Sequence, residues 1–172
     1  MKSVLQIGFG IAVTIAAFAI GVVLFVGSGV YDIGADDHHT KPVLAIIEQL
    51  RDRSIAAHAT TIDVPGLEDP KGIAGGARRY AALCVGCHLA PGVTKSDLRT
   101  GLYPHPPNLA QKDASDAQKS FWTIKHGIKM SAMPAWGKSL DDKTIWDMVA
   151  FVRQMPTMTP ETFQQLAQSR AE

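Results

Sequence analysis

Cysteine is almost missing from this 172-residue chain: there are two, Cys84 and Cys87, and both lie in one pentapeptide. None is left over for a disulfide elsewhere. A structural zinc site wants four ligands, typically with a second Cys or His pair. Neither a second Cys-x-x-Cys nor a pair of histidines three to five residues apart follows. The chain also lacks internal repeats and low-complexity tracts. Neither sign of charge prevails, because 17 Lys and Arg stand against 16 Asp and Glu. With 46% hydrophobic residues, it has enough apolar material for one small domain and something extra.

The near-neutral balance hides an asymmetry. Residues 1–70 hold four bases against eight acids, a balance of −4, whereas residues 71–172 hold thirteen against eight, a balance of +5. A mildly basic domain steers toward acidic partners, and ordinary solubilising surface charge gives the same pattern.

Charge is wholly absent from residues 4–26, where only Gln6 and Thr14 interrupt an apolar run. As a helix this stretch spans roughly 34 Å, enough for a bilayer core. A secretory leader has a shorter apolar core and a small-residue cleavage site, and no Ala-x-Ala follows here. The expectation is an uncleaved single-pass anchor over residues 1–27. Lys2 and the amino terminus put the N-terminal side in the cytoplasm.

A connector is expected over residues 28–69. Pro42 suits the first turn of a helix, and Val43, Ile46, Ile47 and Leu50 recur at helical spacing, so a helix is predicted to about residue 59. Its packing partner is open: the following domain, another protein or the membrane surface. Asp36-Asp37-His38-His39 reads as a solvated loop, since adjacent ligands rarely converge on one ion without distant help. His58 reads as a surface residue. Residues 64–70, Val-Pro-Gly-Leu-Glu-Asp-Pro, are rich in turn formers and mark a boundary.

The next domain is expected over residues 70–158, and it is predicted to be all-α. Asp69 suits an N-cap and Pro70 the first helical position, with Ile73, Ala77, Tyr80 and Ala81 as an apolar stripe. Gly75 and Gly76 inside that helix cost roughly 1 kcal/mol each relative to Ala, which calls for a close backbone neighbour. The candidate neighbour is a helix over residues 141–154, with Ile145, Met148, Val149 and Val152 at helical spacing. A helix over 115–125 and a short capped helix in the tail, residues 159–172, complete the expectation.

The pentapeptide itself reads Cys84-Val85-Gly86-Cys87-His88, the pattern by which haem is covalently attached to protein. A redox-active dithiol is the competing reading, and it expects a βαβ setting. Around the motif the chain resembles class I cytochromes c, including those fused to membrane anchors in bacterial respiratory chains. The resemblance rests on Gly76 and Tyr80, eight and four residues before Cys84; on Met148 and Phe151 in the last helix; on Pro107-Asn108-Leu109; and on Met133-Pro134-Ala135-Trp136. It covers about residues 70–155.

The resemblance implies one haem c joined through Cys84 and Cys87, with His88 and Met133 as axial iron ligands. Met130, His126 and His105 are the other candidates for the sixth position. It implies that the Pro107 carbonyl accepts the His88 Nδ1–H and that Leu109 packs on the ring; Arg99, Tyr103 and Trp136 are the chain's candidates to hydrogen-bond a propionate. A protein of that kind carries single electrons between redox proteins, has no catalytic residues, and takes neither nucleic acid nor a small-molecule substrate. The expected setting is the inner membrane of a bacterium, with the haem domain on the periplasmic side. The alternatives are an obligate electron-transfer subunit of a larger oxidoreductase or oxidase, and a haem ligand sensor or peroxidase.

Overall fold

A computed structural model describes residues 2–112 and 114–169, which leaves residues 170–172 of the expected tail outside the described residues. The chain divides into two compact units, residues 1–38 and 39–172. Among the described residues there is no strand; a lone antiparallel bridge joins Ala90 and Val93.

The first unit is one long helix, α1 (Lys2–Ser28). Twenty-six of its residues, Ser3–Ser28, carry no formal charge and none of their hydrophobic window is buried. That length corresponds to about 39 Å, against a hydrocarbon core of about 30 Å. Gly29 adopts φ +64 just past the helix, where a left-handed residue terminates the ladder.

The second unit holds α2 (Lys41–Ala59), α3 (Pro70–Leu83), α4 (Val85–His88), α5 (Asp97–Thr100), α6 (Ala117–His126), α7 (Asp142–Gln154) and α8 (Pro160–Gln168). Short 3-10 turns lie at Trp136–Lys138 and Met155–Thr157. Helix starts share one chemistry: the side chains of Asp69, Ser96, Asp116, Asp141 and Thr159 accept hydrogen bonds from free amides of the first turn.

The core forms where α3 crosses α7. Gly76 has no side chain, so the two backbones close up, and a Cβ there would collide with the Asp147 carbonyl. Ala77, Tyr80, Ile145, Met148, Val149 and Phe151 are essentially fully buried around this crossing. The rings of Tyr80 and Phe151 stand 5.3 Å apart. Helix α6 adds Phe121, which stacks on Trp146 at 4.1 Å. Helix α8 brings Phe163 against the same core, and Arg78 Nη1 donates to the Ser169 hydroxyl at 2.9 Å.

Helix α2 joins this unit by its C-terminal half. Ala59 is buried, His58 lies 5.6 Å from the Trp122 ring, and Gln118 donates to the Ile62 carbonyl at 2.6 Å. The periodicity of residues 43–50 identified the helix but not this neighbour.

Candidate functional site

Helix α3 delivers the pentapeptide. Its last turn ends as the Cys84 amide donates to the Tyr80 carbonyl at 2.9 Å. The chain then winds one further turn, α4, in which the Cys87 and His88 amides both donate to the Cys84 carbonyl, at 3.0 and 2.8 Å. Residues 84, 87 and 88 thus sit at i, i+3 and i+4, neighbouring positions on one helical face. Two thiols and an imidazole are presented together because the spacing matches the turn.

The residue after His88 is held in an unusual backbone state. Leu89 has φ 61 and ψ −174, a region occupied almost only by glycine. The buried Tyr80 hydroxyl donates to the Leu89 carbonyl at 2.7 Å, and the Leu89 amide donates to Val85 at 3.0 Å. These bonds hold the strained residue and so fix where His88 leaves the helix.

Both cysteines are half-buried free thiols. Burial, with Cys87 close by as a second contribution, pushes the Cys84 thiol up to about 12. A reactive dithiol needs the opposite shift, toward thiolate at neutral pH. Neither that electrostatic requirement nor a βαβ setting is met.

His88 is clamped from the proline-rich side. Its Nδ1–H donates to the Pro107 carbonyl at 3.0 Å, and the Leu109 amide returns a bond to the His88 carbonyl at 3.1 Å. Burial lowers the imidazole pKa, the Pro107 bond opposes that, and the charge of Arg99 adds to the lowering. A carbonyl accepts only, so Nδ1 keeps its hydrogen and the neutral ring leaves Nε2 as a free lone pair. Asn108 holds the Pro107–Leu109 segment in place: its side chain accepts from the Ala110 amide at 3.0 Å and its carbonyl from Gln111 and Lys112.

Arg99, from α5, lies on the same side. Its Nη2 donates to the Pro106 carbonyl at 3.0 Å, while His105 Nδ1 bonds the Arg99 carbonyl at 3.2 Å. The Arg99 Nε is buried and has no partner among the described residues. A buried guanidinium nitrogen without an acceptor costs free energy, and a carboxylate brought by a cofactor would satisfy it. Tyr103 is half-buried nearby in sequence, its ring 5.7 Å from that of His39. The His39 contact was missed by reading the sequence, where His39 sat in an apparently solvated cluster 64 positions before Tyr103.

Met133 sits in a closed loop after α6. Gly127 has φ +65, and a Cβ there would lie 2.6 to 2.7 Å from backbone atoms of Met133, Pro134 and Ala135. The loop closes as the Ile128 amide donates to the Met133 carbonyl at 3.1 Å, and the Met133 amide donates to the Ser131 hydroxyl at 3.2 Å. Both peptide groups of Met133 are therefore held, and its side chain is half-buried. Met130 is different: it is fully exposed at the loop tip, with φ 54. Trp136 opens a 3-10 turn, half-buried, and its carbonyl accepts from Ser139 and Leu140.

The chemistry of this set suits haem c. The two thiols at one helical turn would hold the porphyrin by adding S–H across its two vinyl groups, each sulfur bonding one vinyl carbon and the hydrogen passing to the other. A neutral imidazole presents Nε2, and the half-buried Arg99 guanidinium has one buried nitrogen, Nε, without a partner among the described residues. Among the described residues, no group of three or more His, Cys, Asp or Glu side chains is placed to hold a metal ion by itself.

Comparison with known proteins agrees in the region of these residues. Residues 72–152 match the family model described as cytochrome C oxidase, cbb3-type, subunit III. No solved structure matches the chain.

Proposed function

From the premise that residues 72–152 are a class I c-type cytochrome domain, an electron-transfer module with haem c bound covalently through Cys84 and Cys87, we propose that this chain is a membrane-anchored monohaem carrier. It passes single electrons between redox proteins on the periplasmic face of a bacterial inner membrane. Haem c supplies the one-electron iron couple. The chain's own residues decide how that couple is held.

In this reading His88 and Met133 would hold the iron. The observation that carries it is the Nδ1–H bond from His88 to Pro107, which leaves Nε2 free and raises its basicity. Met133, with both its peptide groups bonded and proline behind it, is a better anchored sulfur than the exposed Met130. Histidine with methionine raises the reduction potential. Iron held by both residues would serve electron transfer and leave no place on it for a small-molecule substrate. Arg99, with Tyr103 and Trp136 as further candidates, bonds a propionate, and Leu109 packs on the ring.

The anchor is α1. Lys2 at its start supports a cytoplasmic N-terminal side and hence a periplasmic second unit, because positive charge is what bears on orientation. Tethering raises the effective concentration of the carrier near membrane partners.

The test is the optical spectrum of the oxidised protein. A weak sulfur-to-iron charge-transfer band, lost in Met133→Ala and kept in Met130→Ala with haem retained in both, supports the assignment. Ready binding of carbon monoxide by the reduced wild type would overturn it. A second reading, a fixed subunit of a larger oxidoreductase, is favoured by the description of the matched family. Purification in mild detergent separates the two, as a subunit comes away in a stoichiometric complex and a free carrier alone.

A further inference from the structure

Helix α2 packs on α6 through its C-terminal half and leaves an apolar face bare on its N-terminal half. Ile46, Ile47 and Leu50 are 66%, 45% and 71% exposed, and Val43 continues their stripe at half exposure. Positions 43, 46, 47 and 50 fall on one side of a helix. Such a stripe is costly in water unless something covers it.

We propose that this face lies on the membrane itself, in the boundary between headgroups and acyl chains, so that α2 is a second, in-plane contact with the bilayer. The proposal rests on the reading of α1 as a membrane anchor. Residues 29–40 are the only link between α1 and α2, and twelve residues reach at most roughly 40 Å when fully extended. That link itself exposes Val30 and Ile33. Covalently, then, α2 can lie no farther than that reach from the point where the chain leaves the bilayer.

Charge points the same way. Arg51 is occupied by Glu48 at 3.8 Å and Asp52 at 2.7 Å. Arg53, three residues after Leu50 and seven after Ile46, remains as an exposed cation in line with the stripe, and Lys41 is an exposed cation at the helix start; anionic headgroups attract such charges. Three or four aliphatic side chains make a patch well below the ~800 Å² per partner of a stable protein interface. They are sufficient for a tethered helix to settle into a lipid boundary, because the anchor has already met the cost of recruitment.

The experiment uses the full-length haem-loaded protein in vesicles of phosphatidylcholine and phosphatidylglycerol that contain a lipid with a diazirine in its acyl chain. After illumination, the labelled peptides are mapped by mass spectrometry. Adducts are expected in α1 and in residues 43–50. The double variant Ile46→Asn with Leu50→Asn loses most of the second set, by several-fold, while its α1 adducts and haem spectrum are unchanged. Omitting phosphatidylglycerol lowers the second set and leaves the first. Labelled α1 with bare α2 overturns the proposal alone, as do α2 adducts indifferent to the double variant. Unlabelled α1 overturns the anchor reading and the proposal with it.

Discussion

The Cα of Gly76 faces the peptide between Asp147 and Met148 so closely that a Cβ built on it lies 2.9 Å from the Met148 amide nitrogen and nearer still to the Asp147 carbonyl. Backbone cannot step aside as a flexible side chain does. Gly76→Ala must therefore prise α3 from α7 at the centre of the core, with a loss of about 2 kcal/mol or more. Gly75, one residue earlier, makes the control: a Cβ there has only ordinary contacts, at 3.7 Å, with Arg78 and Asp147 side-chain atoms. Gly75→Ala is expected to be neutral or stabilising by up to about 1 kcal/mol. Denaturant midpoints of the two variants decide it, and equal midpoints would sink the argument.

Tyr80 does two separable things at that crossing. Its ring packs against Phe151, and its hydroxyl satisfies the carbonyl of the strained Leu89. Tyr80→Phe keeps the first and strands a buried acceptor, which costs about 1–3 kcal/mol. The haem spectrum should also become more heterogeneous, because Leu89 follows His88 directly. Unfolding curves and the sharpness of the absorption bands measure the two effects, and a Phe variant matching the wild type in both refutes the link.

How much of this was readable beforehand follows from distance along the chain. The helices of residues 70–83 and 141–154 were legible from apolar spacing and capping residues, and Gly76 announced a close neighbour because glycine is out of place in a helix. The α4 turn was implicit in the Cys-x-x-Cys-His spacing. Other features depend on approach in three dimensions. The backbone state of Leu89 leaves no trace in its residue type, since a leucine there is chosen against its own preference. Gly127 ends α6 with a positive φ, and its second role, making room for the Met133 backbone, appears only once the loop closes. The His39–Tyr103 contact and the docking of α2 on α6 join segments 60 or so residues apart, with no local periodicity to reveal them.

Acid should weaken the fold partly through its helix caps. Lys119 holds the Asp116 carboxylate below the ordinary range, through its side chain first and its backbone amide second; the hydroxyl and amide of Thr144 do the same for Asp141. A carboxylate with a lowered folded pKa contributes stability above its unfolded value of about 3.9, and that contribution disappears as the pH falls through the folded value. Asn caps nearly as well without titrating. The gap in melting temperature between wild type and Asp116→Asn or Asp141→Asn should accordingly be largest near neutrality and shrink below about pH 4. A gap that stays constant into strong acid would exclude the caps as the titrating groups.

The unpartnered Arg99 Nε leads to a prediction about potential. Under the proposed assignment the Arg99 guanidinium neutralises a propionate. Without it, the uncompensated carboxylate favours the extra positive charge of the oxidised iron. Arg99→Gln should then lower the midpoint potential, by tens of millivolts, since a charge pair near a protein surface is worth a few kcal/mol at most. Arg99→Lys retains the charge but loses the planar fork that also bonds Pro106, so it should restore part of the potential and little of the stability. Redox titration and thermal melting of the two variants read these quantities independently. If the potential is unmoved in both while haem is retained, the buried nitrogen serves the loop over residues 99–107 and not the cofactor, for the Pro106 bond would be lost in either case and only the melting temperature would respond.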